Sequence, residues 1–278
     1  MTILEFSLLV CAGSFVAGFL GALTGLGGGV VIVPMLTVLL GVDIRYAIGA
    51  SLVSVIATSS GAAATYVKEG FSNVRIGMFL EVATTVGALA GATLATHIST
   101  SAISVVFGLV LMGSAYLSRK PRPKNERNIP PDPLATRLRL NGSFPDVDGV
   151  RNYNVQRVPL GWTLMFGAGT LSGLLGIGSG AMKVVAMDQA MKIPFKVSTT
   201  TSNFMIGVTA AASAGVYLAR GYIDPGLAMP VMLGVLAGSL LGTRVLVKAD
   251  TKWLRVVFSL VIALLGIEML YQGLSGRI

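Results

Sequence analysis

Charged residues are scarce in this sequence: they make up 12% of its 278 residues, whereas hydrophobic residues make up 53%. Soluble domains carry about 25% charged residues, so the composition excludes an ordinary soluble protein. Several uncharged runs approach the roughly 20 residues that a helix needs to cross about 30 Å of hydrocarbon, and the run 47–67 is the clearest. Such runs are unlike the short alternating strands of a membrane barrel. The sequence therefore predicts an all-α polytopic membrane protein.

Residues that carry metal or nucleotide chemistry are also few. Cysteine and histidine occur once each, as Cys11 and His97, which excludes a disulfide within the chain and leaves no cluster with metal-ligand spacing. The phosphate-binding pattern G-x-x-x-x-G-K-[ST] is absent, and no nucleophile lies beside a base. We therefore predict that the protein is not an enzyme and uses no cofactor and no metal.

Basic residues are concentrated in one polar segment. The net charge is +9, and nine of the 21 Lys and Arg lie between residues 119 and 157, as expected for a cytoplasmic loop rather than for a protein that binds nucleic acid. We predict a first transmembrane repeat at 1–118, a basic cytoplasmic linker at 119–158 that is partly ordered at best, and a second transmembrane repeat at 159–278.

The two parts beside the linker are similar to each other. A shift of 151 residues places 15–91 over 166–242 without a gap, with 18 of 77 positions identical. This internal duplication predicts two homologous halves of about five apolar segments each. The predicted segments are 3–23, 30–41, 47–67, 76–96 and 100–118, and then 160–177, 181–191, 199–219, 226–246 and 253–272.

The second segment of each half, 30–41 or 181–191, is too short for an ordinary crossing, which is typical of a broken or re-entrant helix. If it crosses, the halves are inverted, and with the linker inside, 17 Lys and Arg face the cytoplasm and three face out. If it returns to its side of entry, the halves are parallel, and the counts are 13 and seven. The positive-inside rule favours inverted repeats with paired broken helices.

Glycine clusters at 25–29 and 176–180 precede the short segments. Glycine permits an unwound backbone and the close approach of a ligand, and the free N–H groups at a half-helix N-terminus suit an anion. Close packing of helices through small residues is the alternative. Because the two clusters are in register across the duplication, we predict a midplane substrate site between the repeats.

Hydroxyl residues begin the next segment of each half, at Ser51 and at 198–203. They could bind a substrate oxyanion or cap the helix. The basic residues just before them, Arg45 and Lys196, could attract anions or anchor the helix at the membrane interface.

Three of the ionisable residues within apolar segments are candidates for function. Lys183 follows its glycine cluster directly, and either anion contact or charge pairing would explain it. Its counterpart in the first half is Ile32. Glu81 and Asp188 are candidates to pair with a cation or to carry a coupling proton.

The chain resembles the sulfite exporter TauE/SafE family of membrane permeases, also called TSUP. The resemblance lies in GFLGALTGLGGGVVIVPML (18–36) with RYAIGASLVSV (45–55), and in GLLGIGSGAMKVV (173–185) with KVSTTTSNFMIGV (196–208). It covers nearly the whole chain outside the linker. It implies secondary transport of small anions, often sulfur-containing oxyanions such as sulfite, sulfonates or thiosulfate, across the plasma membrane of a prokaryote.

The resemblance implies a role for the two glycine clusters, for Arg45 with Lys196, and for Ser51 with Ser202. Together with the residues above, the candidate substrate-binding set is Gly25, Gly27, Gly28, Gly29, Arg45, Ser51, Gly176, Gly178, Ser179, Gly180, Lys183, Lys196, Thr200, Thr201, Ser202 and Asn203. Ser179, in place of a glycine, and the long linker depart from the family pattern. A passive anion pore and an accessory membrane subunit are the alternatives. The predicted partners are a small anion and the lipid bilayer, while ion coupling and a homodimer are left open.

Overall fold

Long helices build the protein, in a computed structural model that describes residues 2–24, 28–68, 72–119, 132–146, 149–246 and 251–276. In the first half these helices are α1 Ile3–Thr24, α2 Gly29–Pro34, α3 Ile44–Lys68, α4 Val74–Ala95 and α5 Thr100–Arg119. In the second half they are α7 Val158–Leu175, α8 Gly180–Val185, α9 Phe195–Ala219, α10 Pro225–Leu246 and α11 Thr251–Leu274. Every predicted apolar segment is therefore helical.

The short helices α2 and α8 each continue into a π-helical turn, Met35–Leu39 and Ala186–Ala190. Pro34 lacks the amide hydrogen that a regular helix needs and ends α2. The same turn follows α8, which contains no proline, so proline alone does not produce it. The matching irregularity is instead a feature that the two halves share.

Three of the described helices are long and apolar enough to cross a membrane by length and composition: Val74–Ala95, Val158–Leu175 and Phe195–Ala219. Shorter apolar helical stretches accompany them in both halves, among them Leu4–Leu20 and Ile44–Ser60. The fold is thus that of a helical membrane protein.

Helices of one half pack mainly on helices of the other. α1 packs on α10 and α4 packs on α7, and these two pairs correspond to each other under the 151-residue shift. α3 packs on α9 and α5 on α11, so each of these helices contacts its own counterpart. The similarity of the halves therefore extends from their sequence to their contacts.

Glycines bring α1 into close contact with α10, and α4 into close contact with α7. Between α4 and α7, a Cβ atom at Gly91 would overlap the carbonyl oxygen of Thr170, and one at Gly173 would overlap that of Ala88. Between α1 and α10, a Cβ at Gly238 would overlap the carbonyl oxygen of Phe15. Small residues let membrane helices approach in this way, so packing explains the glycines at these contacts.

The short segment of the second half runs back along α7. It leaves the end of α7 at Gly176, and its far end, Met191, accepts a hydrogen bond from the Gln156 amide at 3.0 Å, just before α7 begins. Near the end of α9, the Tyr217 hydroxyl donates to the Gly173 carbonyl near the end of α7 at 3.2 Å. α7 and α9 therefore run in the same direction, with the short segment antiparallel between them.

The corresponding helices α3 and α9 run in opposite directions. Arg45, at the start of α3, lies 5.7 Å from the ring centroid of Tyr222, which follows the end of α9. Farther along, Gly207 of α9 packs against Ser59 of α3. At its own start, α9 contacts the start of α4, where the Asn73 amide donates to Thr201 Oγ1 at 3.0 Å.

Part of the polar segment between the halves is folded. It forms a short helix, α6 (Pro133–Arg137), and an antiparallel pair of strands, β1 (Gly142–Asp146) and β2 (Gly149–Tyr153). Leu140 and Phe144 are buried in one cluster with membrane-helix residues such as Ile76 and Met187. The linker was predicted to be partly ordered at best, and residues 120–131 lie outside the described part. The sequence did not predict this fold because the membrane helices supply most of its apolar core.

Candidate functional site

The two glycine breaks meet inside the bundle, in a buried cluster that we call the glycine junction: Gly29, Ser51, Gly176, Gly180 and Ser202. Ser51 Oγ donates to the Gly176 carbonyl at 2.8 Å and so joins the two halves. Ser202 Oγ donates to the Gly180 carbonyl at 3.3 Å. A Cβ at Gly29 would lie 2.7 Å from Ser51 Oγ. Five of the predicted substrate-binding residues are thus brought together.

The second glycine break is held in left-handed backbone conformations. The φ angles are +68° at Gly176, +69° at Gly178 and +44° at Ser179. Glycine adopts such angles without the steric cost that other residues incur. Gly28, the counterpart of Ser179, has φ −68°, so the two breaks differ in backbone shape. Gly25 and Gly27 lie outside the described residues.

Ser179 carries a hydroxyl that makes no hydrogen bond to any residue described by the structure, although it is buried. It borders a cavity of about 10 Å³ that Gly180, Ile177 and Val30 also line. Such a volume holds about one water molecule. The junction is therefore closed around a free polar group, and buried polar groups of this kind call for a ligand or a movement to satisfy them.

A chain of hydrogen bonds joins a buried lysine to a buried glutamate beside the junction. Lys183 Nζ donates to Thr209 Oγ1, and Thr209 Oγ1 donates to Glu81 Oε1 at 2.7 Å. Thr85 Oγ1 also donates to Glu81 Oε1, at 3.1 Å. Lys183 is fully buried and Glu81 is 7% exposed. We call this arrangement the Lys183–Thr209–Glu81 chain; it links α8 and α9 of the second half to α4 of the first.

One carboxylate oxygen of Glu81 takes no part in these hydrogen bonds. Oε2 is buried and has no hydrogen-bond partner among the residues that the structure describes. A carboxylate oxygen without a donor is costly in a dry interior. It is consequently a place where a proton or a cation would be favoured. The Lys183 ammonium group contacts the Thr209 hydroxyl and reaches Glu81 through it, while anion contact and charge pairing both stay predictions for Lys183.

The positions that correspond to this chain under the duplication carry no charge. The shift of 151 residues pairs Lys183 with Ile32 and Thr209 with Thr58, both in the first half, and it pairs Glu81 with Met232 of the second half. Thr58 keeps the intrahelical bond of its counterpart, donating to the Ser54 carbonyl at 3.0 Å, as Thr209 can to that of Met205 at 2.9 Å. The charged chain is therefore a specialisation of one side of a duplicated site.

Thr209 was missed from the sequence, although its identity with Thr58 in the shifted register was a signal that could have found it. Asp188, the other coupling candidate, is buried in the π-helical turn after α8. It lies five residues beyond Lys183 and outside the Lys183–Thr209–Glu81 chain.

The two basic residues predicted to attract anions lie away from the junction. Arg45 donates from Nη2 to the Ile98 carbonyl at 2.9 Å, and its buried Nε has no hydrogen-bond partner within the described ranges. Lys196 is exposed at the start of α9. Each is six positions, about 9 Å of helix, from the serine of its own half. Because α3 and α9 run in opposite directions, the two lie toward opposite ends of the bundle.

The hydroxyl cluster at 198–203 divides into separate roles. Thr200 Oγ1 donates to the Lys196 carbonyl of its own helix at 2.9 Å, and Thr201 Oγ1 accepts from the Asn73 amide. Asn203 is half-buried. Ser202 donates to the glycine junction, whereas Thr200 bonds within its own helix and Thr201 contacts the chain entering α4.

The described helices form a membrane bundle with a short, interrupted helix in each half and with a lysine and a glutamate buried in its interior. The chain belongs to the family described as sulfite exporter TauE/SafE, whose family model matches residues 10–269. Relatives of the chain are named probable membrane transporter proteins, so its class is that of a helical membrane transporter and not of an enzyme.

Relatives of similar length support this assignment. The chain is 29% identical over 281 residues to the probable membrane transporter protein YunE of Bacillus subtilis, covering 98% of this chain and 99% of that protein. It is 25% identical over 238 residues to YdhB of the same organism, with coverage of 85% and 89%. A probable membrane transporter protein of Methanocaldococcus jannaschii is 24% identical over 280 residues, with coverage of 95% and 94%. No solved structure matches the chain.

Proposed function

We propose that the protein is a secondary transporter of small anions, with sulfur-containing oxyanions such as sulfite, sulfonates or thiosulfate as its substrate class. The observation that carries the proposal is the glycine junction, in which Ser51 of one half bonds to Gly176 of the other. Non-helical backbone at membrane depth is tolerated where it lines a cavity or is buried in protein. Membership of a family described as sulfite exporters supports the class of anion.

The substrate site lies at the glycine junction in this proposal. The hydroxyls of Ser51, Ser179 and Ser202 supply donors, and glycine lets the main chain approach the anion closely. Because the cavity beside Ser179 holds about one water molecule, the anion enters only when the halves move apart. A closed junction of this kind favours alternating access over a permanently open pore.

The two halves act as inverted repeats in a prokaryotic plasma membrane, with the linker in the cytoplasm. The antiparallel course of α3 and α9 supports this arrangement, as does the positive-inside rule. A cysteine at Arg45 is then expected to react with an impermeant thiol reagent from outside, and one at Lys196 from inside, in a Cys11→Ala background. Labelling of both positions from the same side would overturn the inverted arrangement.

Transport is coupled to an ion through the Lys183–Thr209–Glu81 chain. Glu81 has a buried oxygen without a donor, and its negative charge is balanced by Lys183 only through the Thr209 hydroxyl. Intramembrane carboxylates of this kind mark proton or ion pathways in transporters. A proton or cation that binds at Glu81 would release Lys183 from the pair and so alter the position of α8 beside the junction.

Flux through reconstituted protein tests the proposed function. We expect proteoliposomes to take up one of sulfite, sulfate, thiosulfate or sulfoacetate with saturation and counterflow, and to take up a carboxylate control poorly. Ser202→Ala should lower the specificity constant about tenfold or more, because a hydrogen bond to a charged group is worth about 1.5–3 kcal/mol.

A matched control is available on α3. Ser60 is exposed and donates to the Ile56 carbonyl of its own helix at 2.7 Å, so Ser60→Ala should leave the flux unchanged. Flux that rises without saturation would indicate a passive pore instead. The absence of flux for every anion tested would favour an accessory subunit and would remove the support for a site at the junction.

A further inference from the structure

A second cavity lies outside the bundle interior, where α4 begins. It has a volume of about 540 Å³ and lies between the start of α4 and the folded part of the polar segment. We call it the linker cavity. Its polar lining includes Ser72, Asn73, Arg75, Arg139, Ser143 and Tyr153. None of these residues belongs to the glycine junction or to the Lys183–Thr209–Glu81 chain.

The linker cavity is positively charged. Arg75 and Arg139 both line it, and among the described residues no carboxylate does. Arg75 Nη1 donates to the Arg139 carbonyl at 3.0 Å, which holds one guanidinium against the chain that carries the other. A planar guanidinium with several donors matches the oxygens of a phosphate group. Two guanidinium groups in one cavity favour a tetrahedral oxyanion.

The walls of the cavity are fixed by a small hydrogen-bond network. Asn73 Oδ1 accepts from the Ile76 amide at 3.1 Å, while its Nδ2 donates to the Tyr153 hydroxyl at 2.7 Å and to the Leu140 carbonyl at 3.3 Å. One side chain thus ties the start of α4 to both ends of the folded linker. The nearby Ser72 hydroxyl is buried without a partner in the described part of the chain and is available as a donor.

The cavity lies at one end of a stripe of exposed apolar residues. Val74, Met78, Val82 and Val86 are 37%, 63%, 59% and 51% exposed, and a spacing of four places them on one face of α4. In a membrane protein such a face contacts acyl chains. Val74 and Met78 also line the linker cavity, which consequently opens at the level where lipid headgroups lie.

We propose that the linker cavity binds a phosphate group, with an anionic phospholipid as the source that the geometry favours. The arginines contact the phosphate while the acyl chains follow the exposed face of α4. Basic pockets beside membrane helices recognise anionic headgroups in this way. A soluble phosphate compound offers the same chemistry without acyl chains, so the experiment separates the two sources. The proposal rests on the membrane location alone and is independent of the transported substrate.

Lipid titration of the purified full-length chain tests the site. Native mass spectrometry in detergent should detect one tightly bound phosphatidylglycerol, and the double variant Arg75→Ala/Arg139→Ala should weaken its apparent affinity at least about tenfold. Arg137→Ala is the matched control, since Arg137 is exposed on α6 and does not line the cavity. Inorganic phosphate and glycerol 3-phosphate form the soluble arm, measured by calorimetry.

Ser143 provides a second variant that keeps both arginines. It is exposed on β1 and lines the cavity, so Ser143→Asp adds a carboxylate there, and Ser143→Asn adds similar volume without charge. Loss of phosphatidylglycerol binding in Ser143→Asp, with retention in Ser143→Asn, supports the site. Binding of the soluble phosphates with the same dependence on the arginines supports the phosphate chemistry but overturns the lipid source. Binding of lipid that is equal in all variants, together with no soluble binding, overturns the proposal.

Discussion

Lys183→Ile alone should abolish transport and lower the free energy of unfolding by about 3–5 kcal/mol, because it leaves a buried carboxylate without its counter-charge. Lys183 is fully buried and reaches Glu81 only through Thr209. Removal of the cation therefore leaves Glu81 with no opposite charge in the chain of hydrogen bonds. Anion uptake by proteoliposomes measures the first effect, and thermal unfolding in detergent measures the second.

The duplication supplies a control for this prediction. Lys183→Ile together with Glu81→Met reproduces the residues at the duplicated positions, Ile32 of the first half and Met232 of the second. Because replacement of both members of a buried ion pair by apolar residues is often neutral or stabilising, the double variant should regain wild-type stability. It should still fail to transport against a gradient. A double variant that transports like the wild type would show that the pair serves structure alone.

Gly29→Ala is expected to have the second largest effect, with loss of transport and a cost of about 1–3 kcal/mol in stability from overpacking. The added Cβ would lie 2.7 Å from Ser51 Oγ and 3.1 Å from the Gly176 carbonyl oxygen. Ser51 cannot move away without giving up its hydrogen bond to Gly176, which joins the halves. The loss is read from saturable anion uptake, with unfolding temperature measured in parallel.

Gly180, the counterpart of Gly29, offers a matched comparison. A Cβ there would meet the terminal methyl group of Ile206 at 2.6 Å, and the three nearest atoms all belong to side chains, so the flexible side chain can adjust. Gly180→Ala should therefore cost less than Gly29→Ala. Ser51→Ala combined with Gly29→Ala should recover part of the stability, because the closest overlap is gone. Equal effects at Gly29 and Gly180 would contradict the proposed importance of the Ser51–Gly176 bond.

Helix positions and the duplication could be predicted from the sequence because both depend on local composition. All ten predicted segments are helical, and the short second segment of each half is broken in the way its length indicated. The glycine clusters and the serines after them were singled out as candidate substrate-binding features. Ser51 and Ser202 lie near the start of the long helix that follows each short segment, and such a pattern is visible in the sequence.

Contacts between residues of different halves could not be predicted in the same way. Thr209 looks like any helix hydroxyl until α4 of the other half brings Glu81 to 2.7 Å from it. Arg45 and Lys196 were grouped with Ser51 and Ser202 because they are close in sequence. Each basic residue nevertheless lies about 9 Å along its helix from the serine of its own half. Contacts of this kind depend on the direction of each helix and on which helix of the other half it packs against. Composition encodes neither.

The packing of helices of one half on helices of the other has a consequence for the synthesis and membrane insertion of the chain. α1 and α4 pack mainly on α10 and α7, through glycines such as Gly18 and Gly91, so these contact faces stay open to lipid until the ribosome has delivered the second half. The newly inserted first half is therefore an incomplete helix bundle until the second half has been inserted beside it. If the gene is divided within the linker, the two protein fragments should accumulate only when both are produced together, as two subunits of an obligate complex do.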